Sequence, residues 1–221
     1  RNIDDLRSWF EIIDTKLNQE DAPWAFNMIT HNSYGRFDQE ITLVEEFKPK
    51  IVITALGGPH RVTQQVHAYG GLVFADVNSP SFARKAIDRG ADGLVLVCTG
   101  AGGHTGEYAL MPFLDEVRSF FDGPIIVGGG ISNGRSIRAV ETLGVDFAYI
   151  GTRFLAAKET LISAILISTS VNPPQSSFIC FSFKSITSPT LFALSCKKSH
   201  SISNGASFLT SSGVFKQLSK I

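Results

Sequence analysis

No acidic residue follows Glu159 in this 221-residue sequence, although all 20 Asp and Glu residues stand at or before it. Beyond that point serine recurs every few residues and no clear apolar period holds, so two regions are expected. Residues 1–160 read as the folded unit and residues 161–221 as a serine-rich tail. Three readings fit the tail: a disordered extension, a divergent helical cap, or non-native sequence from a shifted frame or misplaced splice. A helix over 159–167 and a weakly alternating strand over 178–183 fit its pattern. Cysteine is scarce: Cys98, Cys180 and Cys196 have no metal-ligand spacing, and their odd number suits a reducing compartment, so a cytoplasmic location is expected. Lys plus Arg equals Asp plus Glu at 20 each, which gives no basic excess for nucleic acid. No apolar run reaches the roughly 18 residues that a membrane helix needs. No secretory signal opens the chain, and Arg1 stands directly in a helical pattern, so a missing N-terminal segment is expected.

What the chain does contain is an alternation of helical and strand patterns. Leu6, Phe10, Ile13 and Leu17 fall on one face of a helix over 4–18. Apolar runs predict strands over 24–29, 51–54, 71–75, 93–97, 124–127 and 147–150. Helices are expected over 39–47, 61–69, 79–89, 110–121 and 134–143, with Ser79 and Asn133 as caps and Pro80 in a first turn. Six strands alternating with helices, without a hairpin signal, imply a parallel sheet covered by helices. A doubly wound sheet would place its glycine turn after the first strand. Here the glycines follow the last strands, where a TIM barrel builds its phosphate site. The expected fold is therefore an α/β (β/α)8 TIM barrel, incomplete at about six βα units, with two strands lacking at the front.

Three glycine turns follow the last three strands. Gly100-Ala101-Gly102-Gly103-His104-Thr105-Gly106 comes after Leu94–Val97, Gly128-Gly129-Gly130 after Pro124–Val127, and Gly151-Thr152 after Phe147–Ile150. Such turns either permit tight connections or present main-chain amides to an anion near helix N-termini; two at one face favour a phosphate, with the Thr152 hydroxyl as an added donor. His104, amid glycines at a strand end, has a reference pKa of about 6.5 and suits proton transfer or substrate contact. His31 and His60 also follow strands and can line the same mouth. Cys98 ends an apolar strand and fits the core better than a nucleophile's post. Tyr108 and Phe113 either shield a flat ring or pack the barrel top.

These residues resemble the nitronate monooxygenase family over about residues 23–159. The likeness is carried by Gly90-Ala91-Asp92, Ala101-Gly102-Gly103-His104, Gly129-Gly130-Ile131 with Gly134, and Gly144 through Ile150-Gly151-Thr152-Arg153-Phe154. The resemblance implies an FMN-binding TIM barrel that uses O2 to oxidise a nitronate or nitroalkane to a carbonyl compound and nitrite. By motif position His104 resembles the family's active-site histidine. Asn27, Gly102, Gly103, Gly129, Gly130, Tyr149, Ile150, Gly151 and Thr152 match its flavin contacts. Val97 stands where the family usually has Gln, Gly100 where many members have Glu, and the first barrel strand with its Met-containing loop has no counterpart. An FMN-dependent enoyl-acyl-carrier-protein reductase and a non-catalytic remnant are the alternatives to the oxidase reading.

Overall fold

The computed structural model describes residues 2–18, 21, 23–102 and 105–155, with 194–195, 205–208 and 216–219. Gly103, His104 and the tail positions expected as helix (159–167) and strand (178–183) lie outside the described residues.

Helix α1 (Ile3–Lys16) starts where Asn2 and Asp5 form a reciprocal capping box, the Asn2 side chain accepting from the Asp5 amide at 2.8 Å. It buries Leu6, Phe10 and Ile13. Phe10 is fully enclosed and meets Trp24, Phe26 and Phe47 edge-on at 5.0, 5.0 and 5.3 Å, which holds α1 against the first strand and the next helix. The chain then alternates β1 (Ala25–Ile29), α2 (Phe37–Phe47), β2 (Ile51–Ala55), α3 (Thr63–Ala68), β3 (Leu72–Val77) and α4 (Pro80–Asp88). It continues with β4 (Gly93–Val97), α5 (Leu110–Arg118), β5 (Ile125–Gly128), α6 (Gly134–Thr142), β6 (Phe147–Tyr149) and the short α7 (Thr152–Leu155). All six strands expected between residues 24 and 150 are present. The expected helix over 61–69 is divided: a 3₁₀ turn, Pro59–Arg61, precedes α3, because the proline opens a tight turn whose carbonyl takes the Thr63 hydroxyl at 2.8 Å. Outside this unit, strands β7 (Leu194–Ser195), β8 (Gly205–Phe208) and β9 (Lys216–Ser219) pair antiparallel.

Strands β1 to β6 form one parallel sheet in sequence order. One face carries the inner cluster Ala25, Ile53, Phe74, Val95 and Ile126, with Tyr149 against it. The other face packs on the helices through two larger clusters. Apolar residues on both faces explain why the strands read as continuous runs. Five spacings of about 4.8 Å would put β1 and β6 roughly 24 Å apart in a flat sheet. Yet Asn27 on β1 donates its side-chain amide to the Tyr149 hydroxyl on β6 at 3.1 Å. The sheet is therefore strongly curved: six βα units of a TIM barrel, with the two edge strands facing each other across the interior.

Two matching turns hold the N-terminal ends of the strands. After α4, Gly90 adopts φ +86° and the Ala91 amide reaches back to the Ala86 carbonyl at 3.0 Å; after α6, Gly144 adopts φ +81° and Val145 reaches Val140 at 3.2 Å. Each turn then delivers an aspartate to the start of the preceding strand. Asp92 accepts from the Val73 amide at 2.7 Å and pairs with His67 at 2.8 Å. Asp146 accepts from the Ile125 amide at 2.9 Å and pairs with Arg118 at 2.9 Å. These Gly-x-Asp turns lie at the end of the barrel that governs stability, opposite the end where barrels keep chemistry.

Candidate active site

The C-terminal ends of β4 and β5 carry the first two glycine turns, and they interlock. The Cys98 amide donates to the Gly128 carbonyl at 2.8 Å and the Gly130 amide to the Gly100 carbonyl at 3.0 Å. Gly129 has φ +146°, and a Cβ there would stand 2.8 Å from the Thr99 carbonyl oxygen and 3.1 Å from the Cys98 Cβ. Only glycine lets these two backbones come so close. The loop after β4 is closed at its neck by Thr99, whose amide donates to the Tyr108 carbonyl at 2.9 Å, and by the Thr105 hydroxyl donating to the Cys98 carbonyl at 3.2 Å. Gly106 lies directly against the Val97 carbonyl, where a Cβ has no room. Tyr108, partly exposed, tilts against the buried Phe113 at 5.5 Å and so forms a wall of this loop.

Around Gly130 and Gly151 a Cβ would meet nothing within 4 Å. These two turns, at the ends of the neighbouring strands β5 and β6, thus border open space. The amides are less available than the glycine pattern suggests. Gly130's is engaged by Gly100, and at the start of α6 the Ser132 and Asn133 amides both go to the Ser136 hydroxyl at 3.1 Å, while the Asn133 side chain takes the Ser136 amide at 3.0 Å. At β6 the Gly151 carbonyl accepts from Phe154 at 2.9 Å to begin α7. Ile150 is buried and Thr152 half-buried.

Inside the curve, beneath these turns, lies a polar layer. Asn27 is 8% exposed and is bound to Tyr149. Burial, and then the negative charge of Asp76, push the Tyr149 phenol well above its ordinary range, the Asn27 hydrogen bond offsetting part of this. At neutral pH Tyr149 is a neutral hydroxyl. Asp76 had no place among the site residues expected from sequence; the signal for it is its position two residues after the inward-facing Phe74. Val97 is half-buried beside Gly128 in the sheet register.

The remaining candidates sort by burial. Cys98 is fully buried, and burial pushes its thiol up to about 11, so it is a core residue rather than a nucleophile. His31 is exposed and folded onto its own turn through Ser33 at 2.7 Å. His60 is exposed on the 3₁₀ turn, and His67 serves Asp92 at the other end of the sheet. Gly102 is half-buried, and Arg153 is exposed.

Comparison with known proteins places this arrangement. A nitronate monooxygenase from Neurospora crassa is 33% identical over 115 residues, covering 48% of this chain and 30% of that protein. The structure of FabK from Thermotoga maritima superposes with a TM-score of 0.69 at 28% identity, covering 78% of this chain and 54% of that one. The nitroalkane oxidase of Streptomyces ansochromogenes gives 0.57 at 28% identity, covering 62% and 43%. The chain spans less than half the length of the curated relatives it matches. The family model for nitronate monooxygenase matches residues 4–183, and the chain belongs to that family.

Proposed function

We propose that this chain forms the phosphate-side portion of an FMN-dependent oxidase that converts a nitronate or nitroalkane, with O2, to a carbonyl compound and nitrite. The observation that carries the proposal is the interlocked pair of glycine turns at the C-terminal ends of β4 and β5, with open space above Gly130 and Gly151. FMN would lie with its phosphate over Gly129, Gly130, Gly151 and Thr152 and would supply the electron-accepting ring. Gly102, Gly103 and Ile150 would line it with main chain, and Asn27 and Tyr149 would contribute polar groups from the interior layer. His104 is assigned the proton transfer or the contact to the substrate's nitro oxygens, on the strength of its glycine-rich setting in the sequence and the family it belongs to.

The test has two parts. Purified chain mixed with FMN should retain the visible absorption of oxidised flavin after gel filtration. Gly130→Asp should abolish that retention while Gly130→Asn keeps it. Both variants place a side chain in open space at φ +67°, which Asn and Asp tolerate best, so their difference reports charge against phosphate rather than misfolding. Equal retention by both removes the phosphate assignment. His104→Ala should keep the flavin yet release nitrite at least about a hundredfold more slowly, the scale of a lost general acid or base. Consumption of reduced nicotinamide with an enoyl thioester, and none of nitronate, would select the reductase instead.

A further inference from the structure

The inward face of β3 leads up to the mouth. Phe74 joins the inner cluster, while Ala75 and Val77 pack on the helix side. Alternation therefore returns the chain to the inward side at Asn78, which directly follows the strand at its C-terminal end. Phe74 is buried and Asn78 exposed, so this polar side chain stands where the interior opens. It also borders the loop after β4: a Cβ at Gly106 would stand 3.4 Å from the Asn78 Cβ, and Gly106 is itself held against the Val97 carbonyl. Gly106 follows His104 by two residues in the chain. Within the described residues no hydrogen bond engages the Asn78 carboxamide, whereas Ser79, next in sequence, is committed to capping α4. Barrels keep their chemistry on side chains at the C-terminal strand ends. Resting on the functional reading above, we infer that Asn78 is a substrate-binding residue whose side-chain N–H donates to an oxygen of the nitronate.

A nitronate spreads one negative charge over two oxygens of a planar end, much as a carboxylate does, and so calls for hydrogen-bond donors. A carboxamide offers two N–H donors without adding a charge of its own. A hydrogen bond to an ionised acceptor is about twice as strong as one between neutral groups. The contact therefore favours the nitronate over its neutral nitro compound, whose oxygens carry less charge.

Isobutyrate copies the shape and charge of propane-2-nitronate and does not react, so its affinity is measured by calorimetry on the purified chain with FMN added. Asn78→Leu, close in size but without the amide, should weaken isobutyrate about tenfold, the scale of one hydrogen bond to a charged group. Asn78→Asp should weaken it at least as far, because a carboxylate offers no donor and repels the anion. Asn78→Thr keeps a donor and should lose less than Asn78→Leu. All three variants should retain FMN through gel filtration as the wild type does. With propane-2-nitronate, Asn78→Leu should raise KM about tenfold and leave kcat within about twofold, the pattern of lost binding rather than lost chemistry. Isobutyrate affinity within about twofold of wild type in both Asn78→Leu and Asn78→Asp overturns the inference and leaves the functional reading intact. Loss of FMN together with isobutyrate also overturns it, since Asn78 would then belong to the flavin. If FMN does not load on the wild type, the functional reading falls, and the isobutyrate titrations on the same chain still decide whether Asn78 holds an anion. No binding of isobutyrate by the wild type overturns the inference.

Discussion

The curvature of the sheet makes Asn27 and Tyr149 energetic partners although 122 residues and five strand spacings separate them. A double-mutant cycle of Asn27→Leu and Tyr149→Phe measures that partnership. Tyr149→Phe removes an acceptor and leaves the Asn27 amide, 8% exposed, with a buried donor unsatisfied. The cost is the desolvation of that donor, about 1–3 kcal/mol, rather than the smaller net value of a hydrogen bond. Asn27→Leu takes the donor away but crowds a layer in which Tyr149 keeps its hydroxyl, at a similar cost. In the double variant the unsatisfied Asn27 donor is gone, so the two losses should fail to add by about 1–2 kcal/mol. The assay is urea unfolding followed by circular dichroism, with the slope checked for constancy so that the midpoint shifts report stability. A coupling within about 0.3–0.5 kcal/mol of zero is what independent sites give. Such a result would mean that the two edges do not meet, and with that the barrel geometry and the shared interior layer fail.

Two further perturbations probe other parts of the fold. Gly93→Ala puts a Cβ 2.6 Å from the Phe74 ring, so it should destabilise by about 1–3 kcal/mol, and Phe74→Leu in the same chain should recover part of the loss; full additivity of the two would show that the ring is not the obstacle. Glu40 is 1% exposed, one oxygen taking the Tyr34 hydroxyl at 2.5 Å, and burial raises its pKa above the ordinary 4.5, against the pull of Tyr34 and Arg36. A folded-state pKa above the unfolded one means stability that is complete below about pH 4.5 and lost as pH rises through the folded value, with a slope of at most about 1.4 kcal/mol per pH unit. Glu40→Gln should flatten this part of the pH profile and unfold at higher urea than wild type at neutral pH; an unchanged profile would show that Glu40 is not the titrating group.

Element order was legible because β2, β4, β5 and β6 each run into a glycine turn and three of the helices announce their start. Asn2, Ser79 and Asn133 all cap helices through side-chain contacts. The inward and outward faces were not legible. A parallel sheet between helices is apolar on both sides, so alternation carries little contrast, and a single Asp in β3 has no visible facing until Phe74 is seen inside. Glu40 was hidden for a related reason: it lies on the buried stripe of α2 with Phe37, Leu43 and Val44, a place where spacing says buried and residue type says exposed. The glycine turns were legible as a group but not as a division of labour. Gly129 permits a close crossing, Gly130 and Gly151 border open space, and the amide of Gly130 is spent on Gly100. These are facts about which loop lies over which, and no single turn encodes them.

The two Gly-x-Asp turns show why six units hold their register. In each, a glycine ends a helix, the aspartate two residues on takes an amide at the start of the preceding strand (Val73 or Ile125), and a side chain from the helix before that strand completes the cluster: His67 of α3 for Asp92, Arg118 of α5 for Asp146. The device spans two strands and two helices and asks nothing of strands elsewhere in a barrel. It therefore fixes β3 to β4 and β5 to β6 whether or not the sheet closes. Arg118 goes further, donating to the Gly123 carbonyl at 2.6 Å and the Gly144 carbonyl at 3.2 Å, so one side chain ties both turns flanking β5 and β6. With register set at that end, the loops at the other end are released from structural duty and can crowd together over Gly129 or leave space over Gly130. This separation carries a consequence for mutagenesis: Asp146→Asn, far from the mouth, should lower the urea midpoint while leaving FMN retention after gel filtration unchanged, and loss of retention in a still-folded variant would show that the two ends are not independent.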